Sequence, residues 1–196
     1  SLSDQVARGY AYINVFENVL NGAVAPSSAL KLFLKGLNDE ENELLIGLIS
    51  RYTTTVYWKY LTEEQRLFYQ NEITDQVWTK LQEPLPANIK KTLFSTFSSV
   101  GYTDKSLQRL YDIWTKNIKI DDLKLNDVDY TELAINLALY GHPDSENILV
   151  TAEKSISNQD KLNRFRYLLP SLSNDLQTKN DFFKSLSKEE NRAKES

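Results

Sequence analysis

Helix-capping and helix-breaking signals punctuate this chain about every ten to twenty residues, and between them apolar residues recur at spacings of three and four. That pattern suits helices that each bury one face. Thr62-Glu63-Glu64-Gln65 is a start signal: the threonine hydroxyl takes a free backbone N–H of the first turn, and the glutamine reaches back to the cap. Asn21-Gly22 and Gly141-His142-Pro143 are stop signals, because glycine takes the left-handed end conformation cheaply and proline cannot continue the ladder. Only residues 117–125 (NIKIDDLKL) alternate apolar and charged side chains, and that run is brief enough to read as a loop or extended link. Six glycines and five prolines are few, which also favours long regular elements.

The spacing predicts a first helix capped at Ser3, with Asp4 in its first turn. Its apolar side steps through Val6, Tyr10, Ile13, Phe16 or Glu17, and Leu20. Pro26, Ser27 and Ser28 open a second, carrying Leu30, Phe33, Leu34 and Leu37. Asn38 with Glu41 reads as a capping box opening a third, with Leu44, Leu45, Leu48, Ile49, Tyr52 and Val56 along it, running on past Trp58 towards Leu61. The helix after Thr62 reaches Leu81 before Pro84 and Pro86 break the chain. Helices follow over 90–100 (Leu93, Phe94, Phe97, closed by Gly101), 104–116 (Leu107, Leu110, Tyr111, Trp114), from Asn126 on (Tyr130, Leu133, Ala134, Leu137, Ala138) and 144–156. In the next, Leu162, Phe165 and Leu169 share a face, and Arg164 and Arg166 fall off it. Pro170 is expected to push Leu169 out of the helical region, and Ser173 or Asn174 to cap a last helix that buries Phe182, Phe183 and Leu186. The expected fold is all-α, about nine or ten helices with short links that set neighbours antiparallel. This is an irregular α-solenoid of helical hairpins resembling ARM or HEAT architecture, forming a single domain over residues 1–196.

The chemistry the chain can perform is narrow. No cysteine is present, so thiolate nucleophiles, disulfides and cysteine-based zinc sites are excluded. No methionine is present either, and the chain is read as a fragment of a longer polypeptide. A net charge of −4 does not suit nucleic-acid binding, and no run approaches the ~18 apolar residues of a membrane span. His142 is the only histidine. The H-E-x-x-H zinc motif needs two imidazoles on one helix face with a glutamate as base, so this chain does not carry it. His142 reads as a helix-end residue. The carboxylates at Asp121-Asp122, Asp127/Asp129 and Glu189-Glu190 lie in links or at helix starts, where they favour the helix dipole. Trp58, Trp78 and Trp114 read as packing. Arg164 and Arg166 remain as candidate site residues: they suit an ion pair between helices or with another domain, or a peptide carboxylate.

Residues 160–195 carry a more specific wording. Arg164-Phe165, Tyr167 and Pro170-Ser171-Leu172-Ser173, then Phe182-Phe183, Ser185-Leu186, and Asn191-Arg192 with Glu195, match an "RF-x-F-x-x-PALS" string followed by "FF-x-SL" and "NR-x-x-E". The stretch resembles the end of the C-terminal helical domain of aminopeptidase-N-like zinc metallopeptidases, bacterial branch. Residues 8–22 (RGYAYINVFENVLNG) are similar to a helix near the start of the same domain, with Tyr12 where the family often has tryptophan. The resemblance implies a non-catalytic domain that caps a thermolysin-like catalytic domain and controls peptide access to it. The implied partners are the catalytic domain of the same polypeptide and peptide substrates. The implied cofactor is zinc in that catalytic domain, with none in this fragment. No catalytic or metal residue of the family carries over to any position here, since neither H-E-x-x-H nor the substrate-binding G-x-M-E-N string is present. The alternative is a stand-alone helical-repeat module for protein partners. The compartment, bacterial cytoplasm or exported, is left open.

Overall fold

The computed structural model describes residues 4–192. Among them are eleven α-helices, one 3-10 turn and no strand. The helices are α1 (Gln5–Leu20), α2 (Pro26–Asp39), α3 (Glu43–Lys59), α4 (Glu63–Leu81), α5 (Ala87–Val100), α6 (Asp104–Trp114), α7 (Asp127–Leu139), α8 (Ser145–Ser155), α9 (Gln159–Leu168), α10 (Leu176–Ser185) and α11 (Glu189–Arg192), with the 3-10 turn at Leu169–Leu172. Contacts cluster into two compact units. One comprises Ser1–Gln108 with Ile118–Lys124, the other Arg109–Asn117 with Leu125–Ser196.

The first unit is built from hairpins. The short link after α2 turns α3 back against it: Phe33 lies 5.7 Å from Tyr52, and the Gly36 backbone approaches Ile49. α4 and α5 form the next pair. α4 runs alongside α2 in the same direction, since Gln76 donates to the Leu34 carbonyl at 2.7 Å and Lys80 to that of Asn38 at 2.8 Å. The Asn38 carbonyl is among the last four of α2, which have no intrahelical partner, and the Lys80 ammonium sits there where the helix dipole is negative. α3 packs on α5, where the Trp58 indole donates to the Ser99 carbonyl at 3.0 Å. Ala29, Leu30, Phe33, Ile46, Ile49, Val56, Ile73, Leu93 and Phe97 are buried between these layers.

Several helix limits follow the local signals. The box at Thr62 and Gln65 forms, with the Gln65 N–H donating to the Thr62 hydroxyl at 3.2 Å and the Thr62 N–H to the Gln65 side chain at 3.1 Å. A second box forms at Asn126 and Asp129. Gly22 and Gly141 take φ of 71° and 78°. In each case the glycine's own N–H and the next one close onto the helix end, as with Gly141 to Ala138 (3.1 Å) and His142 to Leu137 (2.9 Å).

Other expectations are corrected. Asp4 itself caps α1, accepting from the Ala7 N–H at 2.8 Å; Ser3 lies outside the described residues. The face of α1 that turns inward is Gly9, Tyr12, Phe16 and Val19, and the stripe of Val6, Tyr10, Ile13 and Leu20 faces outward. Gly9 suits this face, because a Cβ there would sit 3.2 Å from the Leu45 side chain. Asn38 lies inside α2 and caps nothing. The cap of α3 is Asn42, which accepts from the Leu45 N–H at 3.1 Å. α3 ends at Lys59, short of Leu61, and Leu44 is exposed while Ile46 and Tyr57 join the core.

In the second unit α7 and α8 form a hairpin, and α9, the 3-10 turn and α10 follow. Pro170 does not drive Leu169 out of the helical region: Leu169 has φ −49° and ψ −44°. The chain tightens into the 3-10 turn there, where the proline lacks only an N–H that the turn does not use. Asp175, not Ser173 or Asn174, caps α10, accepting from the Thr178 N–H at 2.8 Å. α10 buries none of its residues: Phe182 and Leu186 are half-buried and Phe183 is exposed.

Candidate functional site

Arg164 lines a groove of about 500 Å³ in the second unit. Its walls are the start of α7, the link after α8, and α9. The Asn126 box fixes the α7 wall, and the Asn158 cap, accepting from the Lys161 N–H at 3.0 Å, fixes the α9 wall. Val128, Ile135, Ile156, Phe165 and Leu168 give the groove an apolar lining. Lys161, one turn before Arg164, places a second cation on the same wall; Asp127 and Glu132 stand on the α7 side. Arg164 and Lys161 are exposed, and neither side chain has an ion pair among the described residues. An apolar trough with unpaired cations at its rim can take an apolar side chain and a neighbouring carboxylate together.

Arg166 is not part of that groove. Its Nε donates to the Glu153 carboxylate at 2.6 Å, joining α9 to α8. This is an ion pair between neighbouring helices, on the surface, worth about 0–1 kcal/mol. The two candidate arginines, two residues apart, therefore do different work. Lys161 was not singled out by sequence, although its spacing of three from Arg164 puts both on one helix face.

Four of the residues that carry the family resemblance, Tyr167, Phe182, Ser185 and Asn191, are linked to one another. Tyr167 packs edge-on against Phe182 at 5.3 Å and donates its hydroxyl to the Asn191 carbonyl at 2.9 Å. The Asn191 side chain in turn donates to the Ser185 carbonyl at 3.0 Å. The cluster holds α10 and α11 by hydrogen bonds and one aromatic contact rather than by buried area. Glu195 lies outside the described residues.

His142 follows the end of α7, as its Gly-His-Pro setting suggests. Its Nδ1 accepts from the Asp144 N–H at 3.1 Å, which places the ring proton on Nε2. The ring stacks on Tyr111 at 4.4 Å, and the Tyr111 hydroxyl donates to Asp144 at 3.3 Å. Burial lowers the His142 pKa below its ordinary value, against a smaller opposing pull from the Asp144 charge. A lowered folded pKa means the unfolded chain binds the proton more readily, so this contribution to stability is complete above about pH 6.5 and is lost as pH falls through the folded pKa. As the only histidine, its imidazole resonance can be followed alone by NMR: a midpoint below that of a free histidine is expected, and one at or above it would show that burial of the ring does not outweigh the Asp144 charge.

Among the described residues, no group of three or more His, Cys, Asp or Glu is placed to hold a metal ion, and no helix is long and apolar enough to cross a membrane. The described residues thus offer no site that fits zinc, and no step of chemistry is assigned to one. Comparison with known protein families, curated proteins and solved structures finds no match for this chain.

Proposed function

We propose that this chain is a non-catalytic helical domain that receives a peptide in the groove between α7 and α9, and that its parent is a zinc-dependent aminopeptidase. The groove carries the reading: an apolar trough beneath two cations, Lys161 and Arg164, that have no ion pair among the described residues. The parent assignment rests on the wording of residues 160–195 and 8–22. In that setting the domain caps the catalytic domain of the same polypeptide and limits which peptides reach it. The outward apolar stripe of α1, with Val6 60% and Tyr10 69% exposed, supports a docking role, since such a stripe on a helix is ordinarily covered.

Two measurements test this. A short acidic peptide carrying one large apolar side chain should shift the NMR signals of Val128, Ile135 and Leu168, and Arg164→Ala should weaken that binding about tenfold while leaving the fold intact. No shifts at these positions would remove the peptide groove. Separately, the coding sequence upstream of Ser1 should hold an H-E-x-x-H motif with a downstream glutamate. A start codon or export signal close upstream, or zinc-dependent peptide hydrolysis by this chain alone, would defeat the parent assignment.

A further inference from the structure

α1 carries apolar residues on two sides and is packed on one. Gly9, Tyr12, Phe16 and Val19 turn inward. Val6, Tyr10, Ile13, Glu17 and Leu20 are all exposed. At about 100° per residue these five fall within an arc of about 80°. Their spacings of four, three, four and three are those of the seam between two packed helices. α3 adds Leu44, 81% exposed and next in sequence to the Leu45 that meets Gly9.

The seam holds one charge, Glu17, and one hydroxyl, that of Tyr10. Neither side chain makes a hydrogen bond or an ion pair among the described residues. The seam also reads nearly the same in both directions about Ile13. Val6 and Leu20 lie seven residues to either side, Tyr10 three before it and Glu17 four after it. A second α1 laid antiparallel along this one sets Val6 on the partner's Leu20 and Ile13 on the partner's Ile13. The Tyr10 hydroxyl then meets the partner's Glu17 carboxylate, and a two-fold axis repeats each contact. A parallel copy would instead set Glu17 against Glu17, two like charges facing each other in a closing interface.

We propose that the exposed seam of α1 is a self-association surface, which takes the α1 of a second copy of this chain antiparallel, about a two-fold axis at Ile13. α1 has 16 residues, a length of about 24 Å. One helix per copy puts the interface at the small end for specific pairs, so a dissociation constant of about 10–100 µM is expected. This names the occupant of the stripe. The Arg164 groove, which lies in the other unit, and the parent assignment do not depend on it.

Sedimentation equilibrium of the full chain, loaded at about 5 to 500 µM, reads the association directly, and a monomer–dimer equilibrium is expected. Ile13→Lys should weaken it about a hundredfold or more, because it sets two like charges at the axis. At about 1 µM, where both are monomers, the variant should unfold at the same temperature as the wild type. Ile13 is 39% exposed, and lysine favours helix at least as well as isoleucine. Cross-linking reads the direction, because the chain has no cysteine of its own. Under mild oxidation, Val6→Cys mixed with Leu20→Cys should give a disulfide dimer holding one of each. Val6→Cys alone should give none, since the two copies of position 6 stand about 21 Å apart in the antiparallel pair and a disulfide needs its Cα atoms within about 7 Å. A chain that stays monomeric up to about 500 µM, a dimer that survives Ile13→Lys, or Val6→Cys that cross-links to itself as fast as to Leu20→Cys would overturn the proposal.

Discussion

Phe33→Ala is expected to destabilise the first unit by about 3–5 kcal/mol, the range for deleting a fully buried aromatic side chain. Phe33 is 0% exposed. Its ring lies 6.4 Å from Tyr12 of α1 and 5.7 Å from Tyr52 of α3, and Tyr52 stacks in turn on Phe16 of α1 at 4.0 Å. One side chain of α2 therefore joins three helices. Domains of this kind are stable by only about 5–15 kcal/mol, so the loss is a large share of the total. Tyr12 and Phe16 are half-buried and can lean inward, which sets the cost within the range. Denaturant unfolding followed by the fluorescence of Trp58 and Trp78, both in this unit, reads the change as a shift in midpoint with an unchanged slope. A loss below about 1 kcal/mol would place the core elsewhere than between α1, α2 and α3.

The same region shows what the sequence made legible and what it hid. Limits set by neighbours within one turn were readable: Pro26 at the start of α2, the Thr62–Gln65 box, the Asn126 cap, and the glycines at 22 and 141. These depend on a backbone group and a side chain three or four residues away, so the local string contains the whole interaction. The choice of buried face on α1 was not readable. Val6, Tyr10, Ile13 and Leu20 make the more apolar stripe, yet the helix presents Gly9, Tyr12, Phe16 and Val19 to its neighbours, with Leu45 of α3 packed close against the Gly9 backbone. The start of α3 failed for a related reason. Asn38 and Asn42 are equally good caps by type, and the decision lies in Glu40, whose carboxylate is claimed by Arg8, 32 residues away in sequence.

The candidate site divides along the same line. That Arg164 and Arg166 lie off the apolar face of α9 follows from helical spacing alone. Which of them pairs does not, because Glu153 is supplied by a different helix. Phe183 was expected inside on the strength of its type. α10, however, meets the end of α9 through Phe182 and Tyr167, and Phe183 is left 75% exposed. A ten-residue helix with no fully buried residue is held by the Tyr167–Phe182 contact and the hydrogen bonds around Asn191, and no periodicity in its own sequence announces that.

Glu40→Gln is expected to cost about 1.5–3 kcal/mol near neutral pH, the range for losing hydrogen bonds to a charged group, and the cost should vanish in acid. The Glu40 side chain is 4% exposed and accepts from Arg8 at 2.8 and 3.0 Å, one bond to each carboxylate oxygen. The N–H groups of Glu41 and Asn42 donate to it as well, at 3.2 and 3.1 Å. One carboxylate thus ties α1 to the turn between α2 and α3 and sets the chain direction that makes Asn42 the cap. The Arg8 bond does most to hold the Glu40 pKa below the ordinary glutamate value, outweighing the burial that opposes it, and the two N–H groups add to the lowering. A depressed folded pKa means that the stabilisation is complete above the unfolded value of about 4.3 and is lost as pH falls through the folded value. The difference in unfolding free energy between wild type and Glu40→Gln should therefore be flat from neutral pH down to about 5 and shrink below about 4. Arg8→Ala should flatten the same profile from the other side of the pair, and the double variant should be less destabilised than the two single changes added together. A difference that persists unchanged into acid would mean that glutamine costs stability through shape alone, and that the charge on Glu40 does not hold α1 in place.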